Sequence, residues 1–305
     1  MKHALSIDVE DWFQVLNMAG QIDRSQWDRQ ELRCEGSTQR ILEILERHQA
    51  RATFFFLGWI AERMPDLVSR VREAGHEIGS HGYDHQMVSD LGEAGFRSDV
   101  AKTNRILADI TGSSPQAFRA CTWSISERTP WAFDVLSEEG FKLDSSVFPV
   151  RHPDYGVPGA PTTPYVVAGA CGEMVEFPPL TWSVLGRQVP VGGGGYLRLL
   201  PLRFLRWGLA QQERRGCPGC VYLHPWEVDP DQPRQNLGGV RGFRHYVNLR
   251  KTAAKLESLL KTYEFVSLSE ALGPIADRLR AQPAVQLWDA SARSVPREGP
   301  QDQTG

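Results

Sequence analysis

The first half of the chain alternates short apolar runs with stretches in which apolar residues recur every three or four positions. HALSID (3–8) and ATFFFLG (52–58) are rich in aromatic and aliphatic residues and end at polar or glycine positions, the pattern of buried strands. Between them, Ile41, Ile44, Leu45 and His48 fall on one helical face, with Ser37 or Thr38 as its cap. AERMPDLVSRVREAG predicts a second helix that stops at Gly75, and HEIGS predicts a third strand. Phe96, Val100, Thr103, Leu107 and Ile110 mark a third helix closing at Gly112. AFRA (117–120) reads as a fourth strand, Thr129 and Pro130 open a helix that closes at Gly140, and FKLDSS supplies strand five.

This β, α, β, α order predicts a mostly parallel sheet or barrel, because parallel neighbours need crossover helices. Active residues are then expected at the carboxyl ends of the strands. Residues of about 150–215 break the pattern: RHPDYGVPGAPTTPYVV and VPVGGGGYLRLLP are rich in Pro and Gly and predict an elaborated loop region over one end of the barrel. Regular structure resumes with CVYLHPW (220–226), a long helix over 242–261 and a last strand in EFVSL. The expectation is one domain over 1–279 and a disordered tail over 280–305, where the composition turns polar and irregular.

Composition narrows the function classes. The 305 residues are 41% hydrophobic, enough for a sizeable buried core, and the net charge of −3 comes without a basic block, which argues against nucleic acid as a partner. No apolar run is long enough to span a membrane. MKHALSIDVEDW does not read as a secretory signal, and five cysteines (Cys34, Cys121, Cys171, Cys217, Cys220) are an odd, scattered set that argues against a disulfide framework. Together these predict a cytoplasmic protein. The Cys217–Cys220 CxxC has no second pair and reads as a turn; GGGG (192–195) lacks the strand-to-helix setting of a phosphate loop.

Ionisable groups cluster where the strands end. Strand one runs into Asp8, Glu10 and Asp11, strand three into SHGYDH, strand four ends at Arg119, strand five at Asp144, and the late strand VYL at His224. Histidines at i and i+4 of a helical turn point the same way, so His81 and His85 could offer two imidazole nitrogens to one ion. A carboxylate from strand one would complete a three-residue site with open positions, the layout of a catalytic metal and of metal-assisted hydrolysis.

These motifs resemble the polysaccharide deacetylases that share the NodB homology domain, and most closely the branch associated with exosortase-linked exopolysaccharide gene clusters. SIDVED, SHGYDH, FRAC, LDSS, EFPPLTWSVLGRQVPVGGGGYLRLLP, YLHPWEVDPDQPR and FRHYVNL carry the resemblance over most of residues 3–270. It implies a distorted (β/α) barrel holding a divalent metal, usually Zn²⁺. It also implies Asp8 as general base and Arg119 as the residue orienting it. Val9 stands where the family's metal aspartate is usual, which points to Glu10 as ligand beside His81 and His85, with Asp11 as the fallback. Asp144 would partner His224, the general acid. Family members usually have proline where this chain has Cys121, a change expected to loosen the loop whose backbone N–H near Thr122 would serve the oxyanion.

The implied reaction removes an acetyl group from N-acetylhexosamine units of an exopolysaccharide or its lipid-linked precursor, by base-activated metal-bound water. Trp12, Trp123, Trp182 and Trp226 could stack on sugar rings, two of them at most, while His76 is expected in packing. The alternatives are a catalytically inactive carbohydrate-binding barrel and a hydrolase of small cyclic amides.

Overall fold

The structure, a computed structural model, describes residues 1–152 and 155–288. The strand β1 (His3–Val9) is followed by two short 3-10 turns, α1 (Cys34–Arg47) and β2 (Thr53–Phe56). Because α1 begins at Cys34, Ser37 and Thr38 are buried inside it and neither is the cap. The expected second helix is two, α2 (Gly58–Arg63) and α3 (Pro65–Glu73), since Pro65 has no N–H to donate and restricts Met64 before it. Then come β3 (Glu77–Ser80), α4 (Val88–Thr111), kinked at Gly92 and closed by left-handed Gly112, β4 (Ala117–Phe118), α5 (Ala132–Glu138) and β5 (Leu143–Asp144).

Residues 150–215 are more regular than their Pro and Gly content suggests. They form the hairpin β6 (Tyr165–Gly169) and β7 (Gly172–Glu176), a second hairpin β8 (Thr181–Val184) and β9 (Arg187–Pro190), and the helices α6 (Gly194–Leu199) and α7 (Leu202–Arg214). β10 (Cys220–Leu223) precedes α8 (Gly239–Tyr246) and α9 (Leu249–Leu260), which replace the single expected helix because Asn248 between them is left-handed, φ 56°. β11 (Phe265–Val266), α10 (Leu268–Leu272) and α11 (Ala276–Arg280) end the order. Residues 280–288 of the expected disordered tail are instead placed against the barrel: Val285 N–H donates to Val166 O at 2.7 Å and Trp288 stacks on Phe133. Residues 289–305 of that tail lie outside the described residues.

The strands run in the order β10, β1, β2, β3, β4, β5, β7, β6, parallel except for the β6–β7 hairpin, and β11 pairs with the start of β1. Past β7 the chain bends back to β10: Phe177 N–H donates to Asp144 O at 2.8 Å and Leu180 N–H to Cys220 O at 2.9 Å. This segment completes the ring, and the fold is a distorted (β/α) barrel. Period-two alternation decides what faces where. Leu5, Ile7, Val9, Phe54, Phe56, Val221 and Leu223 join the large core cluster shared with α1 and α9, whereas Ala4, Phe55, Ala117, Leu143 and Cys220 form a smaller one. Ala4, Ser6 and Asp8 alternate with the apolar series on β1, so polarity rises along this second face toward the carboxyl end of the strand.

The glycine run has a packing reason. A Cβ on Gly193 would lie 1.9 Å from Tyr222 O, and one on Gly192 2.8 Å from Leu180 N, so only glycine lets this segment lie against β10. Gly193→Ala is expected to cost about 1–3 kcal/mol or more through forced displacement of β10. Thermal unfolding would register this as a Tm lowered by roughly 2–4 °C per kcal/mol.

Candidate active site

The carboxyl ends of β1, β3, β4 and β10 bring Asp8, His81, Arg119 and His224 together. Arg119 is fully buried; its Nη1 donates to Asp8 Oδ1 at 2.6 Å and to Ser6 Oγ at 2.7 Å, its Nη2 to Ser145 Oγ at 2.8 Å, and its Nε to Ser145 O at 3.1 Å. The guanidinium also lies over the rings of Phe55 and Trp123. Oδ1 of Asp8 is thereby committed, while Oδ2 faces His224 Nε2 at 3.7 Å.

His81 and His85 do converge, but not on a helical turn. Residues 81–87 are irregular, with Gly82 at φ 70° and His85 at φ 56°, and the two rings meet edge to face at 5.7 Å. The loop is held from outside: Gly58 and Trp59, at the start of α2, donate to Gly82 O and Tyr83 O, and Asp99 accepts from Tyr83 N–H. His81 Nδ1 is bonded to Arg119 O at 2.7 Å, which leaves Nε2 free, and burial pushes the imidazole down to about 4, so it stays neutral.

The two neighbouring acids separate by function. Glu10 is buried and its Oε2 pairs with His85 Nε2 at 2.8 Å, while Oε1 accepts from Trp226 Nε1 at 3.2 Å. Burial opposes its charge, but His85, His224 and His81 outweigh that and hold it down at about 2. Asp11 points elsewhere: its Oδ2 accepts from Arg33 N–H at 2.7 Å and Cys34 N–H at 2.9 Å, its Oδ1 from Trp12 N–H at 2.8 Å. It caps the start of α1 from a distance and is spent there. A buried carboxylate paired with one imidazole, beside a second imidazole whose Nε2 is free, is a donor set that fits a divalent cation, with Glu10, His81 and His85 as its candidate holders.

His224 does not meet Asp144. Its Nδ1 is bonded to Glu227 Oε1 at 3.0 Å, and Glu227, fully buried, lies 3.7 Å from Arg198 Nε. Burial lowers the imidazole's affinity for a proton, but Glu10, Glu227 and Asp8 together lift it to about 9. Asp144 sits against Glu176, both fully buried, and is bonded to Ser146 Oγ at 2.6 Å. Burial and the neighbouring charge raise Glu176 far enough for the pair to share a proton, and Glu176 accepts from Val147 N–H. Glu227 is the functional residue that motif reading missed. Its signal is HPWE itself, His and Glu three apart across the 3-10 turn Pro225–Val228.

A cavity of about 200 Å³ opens over Asp8, Glu10, His85, Thr122 and His224. Of the four candidate tryptophans, Trp123 and Trp226 line it. Trp12 is buried on Phe13, and Trp182 packs with Phe204 and Trp207. His76 accepts from Ala52 N–H at the far end of β3. The expected loosening around Cys121 is absent: Ala120 N–H donates to Ser146 Oγ, Ser124 Oγ to Cys121 O, and the Cys121 thiol to His81 O at 2.9 Å. So pinned, Thr122 and Trp123 both hold left-handed conformations, φ 56° and 54°, which cost roughly 1–3 kcal/mol each and are sustained only by such surroundings.

Residues 26–142 match the family model for polysaccharide deacetylase, and residues 145–273 match a model described as a domain of unknown function (DUF3473). The first of these stretches, 117 of the 305 residues, is thus similar to the polysaccharide deacetylases. Over 120 residues the chain is 31% identical to a peptidoglycan-N-acetylglucosamine deacetylase of Bacillus cereus, covering 35% of this chain and 44% of that protein. Over 128 residues it is 29% identical to a peptidoglycan deacetylase of Helicobacter pylori, covering 42% and 39%. The chain thus spans less than half the length of these curated relatives. A crystal structure from Mycobacterium smegmatis, provisionally described as a polysaccharide deacetylase, superposes with a TM-score of 0.59 at 20% identity over 98% of this chain and 95% of that one, and shares the fold.

The division between Glu10 and Asp11 is directly testable. Asp11→Ala is expected to destabilise the protein by about 1–2 kcal/mol through loss of the cap acceptor, with bound metal unchanged by elemental analysis. Glu10→Gln is expected to lose the metal while changing Tm little.

Proposed function

We propose that the protein hydrolyses the N-acetyl amide of N-acetylhexosamine units in a glycan, releasing acetate and a free amino sugar. The observation that carries this is a base and an acid facing one another: Asp8 Oδ2, with its partner oxygen held by Arg119, lies 3.7 Å from His224 Nε2, whose other nitrogen is held by Glu227. Asp8 takes a proton from the attacking water as its oxygen bonds to the amide carbon. His224, protonated at neutral pH, gives its Nε2 proton to the departing nitrogen as the C–N bond breaks, because an amine leaves poorly unless protonated. Arg119 holds Asp8 in place, and Glu227 keeps His224 turned with its proton toward the cavity. A divalent ion such as Zn²⁺ on Glu10, His81 and His85 supplies Lewis acidity that polarises the carbonyl and makes water acidic. Thr122 lines the same cavity and its backbone N–H is the donor we assign to the developing oxyanion.

The relatives' peptidoglycan substrates support an N-acetylhexosamine amide. HPWE, whose His224 and Trp226 line the cavity, and the Gly193 segment packed against β10 carry the resemblance to the exosortase-linked branch and support an exopolysaccharide or its lipid-linked precursor as substrate. All five cysteines are free thiols, which supports a cytoplasmic setting. Among the described residues no helix is long and apolar enough to cross a membrane.

Acetate release from a panel of N-acetylated oligosaccharides, with zinc supplied, tests the reading; no release from any of them would overturn it. Asp8→Asn and His224→Asn are each expected to lower kcat by about 10²–10⁴ with little change in KM. The rate is expected to fall as pH rises through about 9, where His224 loses its proton. The sign follows from the acid role: the protonated imidazole is the active form, and its acidic neighbours keep it protonated up to about 9. Glu227→Gln should move that alkaline limb to lower pH, which a merely structural role would not do.

A further inference from the structure

We propose that Cys121 is itself a ligand of the metal, so that this chain offers two imidazoles, a carboxylate and a thiolate to one ion. The inference rests on reading Glu10, His81 and His85 as the metal site. Cys121 is 3% exposed, and its Sγ and one ring nitrogen each of His81 and His85 all lie within 4.8 Å of one another. In a tetrahedral shell, an ion about 2.1 Å from an imidazole nitrogen and 2.3 Å from a thiolate sulfur holds those donors roughly 3.6 Å apart. Closing all three onto a shared ion therefore draws the donor pairs together by about 1 Å at most.

The backbone around Cys121 is fixed in a way that keeps the sulfur turned to the histidine loop. Its carbonyl is bonded by Ser124 Oγ at 2.7 Å, Ala120 N–H by Ser146 Oγ at 2.8 Å, and the two residues that follow are both left-handed. The thiol donates to His81 O at 2.9 Å, on the residue whose ring it would join in coordination. Ligation breaks the S–H bond, forms a sulfur–metal bond and releases the proton to solvent, and a rotation about the Cα–Cβ bond takes the sulfur from the carbonyl toward the rings. Buried Glu10 reaches the same loop through its 2.8 Å contact with His85 Nε2. A proline at this position, as the family resemblance has it, would bring no donor atom.

A thiolate changes what the site selects and how open it is. Soft sulfur favours Zn²⁺ and Co²⁺ over Mn²⁺ and Mg²⁺, and a fourth protein donor leaves fewer positions for water and substrate. The site would hold its ion more tightly than a two-histidine, one-carboxylate centre does.

The test uses the metal-stripped full chain titrated with Co²⁺ alone. The expected result is one equivalent bound, with visible ligand-field bands and a near-ultraviolet sulfur-to-cobalt charge-transfer band. In Cys121→Ser and Cys121→Ala, with the other four cysteines in place, the charge-transfer band should vanish, the ligand-field bands should remain, and Co²⁺ affinity should fall at least tenfold in chelator competition. Ligand-field bands without charge transfer in the unmodified chain, or charge transfer that survives both substitutions, would overturn ligation by Cys121 and leave the three-residue site standing. Failure to bind Co²⁺ at all would overturn both readings together.

Discussion

The buried pairing of Arg119 with Asp8 is the constraint on which the rest of the site is arranged. Removing a guanidinium from water costs several kcal/mol, and the cost is met only when its donors find acceptors and its charge a partner. Here the acceptors come from β1, from the residues that follow β5, and from the aromatic rings of Phe55, Trp123 and Tyr222 around it. Removing either partner of such a pair typically costs about 3–5 kcal/mol because the other charge is left uncompensated. One-residue slippage of β1 would put Ile7 and Val9 where Ser6 and Asp8 stand and leave the arginine without acceptors. The register of the barrel and the placement of Asp8 are the same requirement.

Around this pair the acid side is organised by a different set of contacts. Glu227 orients His224, Arg198 stands behind Glu227 and donates to the His245 carbonyl, and Trp226 lies between the rings of His224 and His245 while donating to Glu10. Glu10 therefore touches both the histidine loop and the acid side, and its charge is what lifts His224 as well as what the imidazoles hold down. Asp144 and Glu176, although buried at a strand end, brace the loop that follows β5 through Ser146 and Val147.

Much of this was legible in the sequence because strands with one apolar and one polar series announce both their burial and their polar ends. Asp8, Arg119 and His224 fall at such ends, and the barrel follows from the alternation of strands and helices. What was not legible depends on contacts between distant segments. Asp144 finds Glu176 because β7 joins the main sheet, a strand hidden in a region whose Pro and Gly content reads as loop. Asp11 is drawn away from the histidine loop by two N–H groups at the start of α1, which no local pattern reveals. His81 and His85 converge through a bend imposed by α2 and Asp99, although their spacing suggests a helical turn. The continuous apolar period over 242–261 conceals the break at Asn248, because a left-handed residue can interrupt a helix without interrupting its face.

The closure of the barrel by Phe177–Leu180 against β10 bears on how such a chain folds. The stretches matched by two separate family models are neither beads on a string nor a catalytic unit with an appendage. The first supplies the arginine and the histidine loop, the second the acid and the last staves of the barrel, and the seam between them runs through the middle of the sheet. Separation at that seam would leave open strand edges on both sides and take Arg119 away from the Ser145 that accepts its guanidinium protons. Neither stretch closes the barrel without the other, and the two are expected to fold as one cooperative unit.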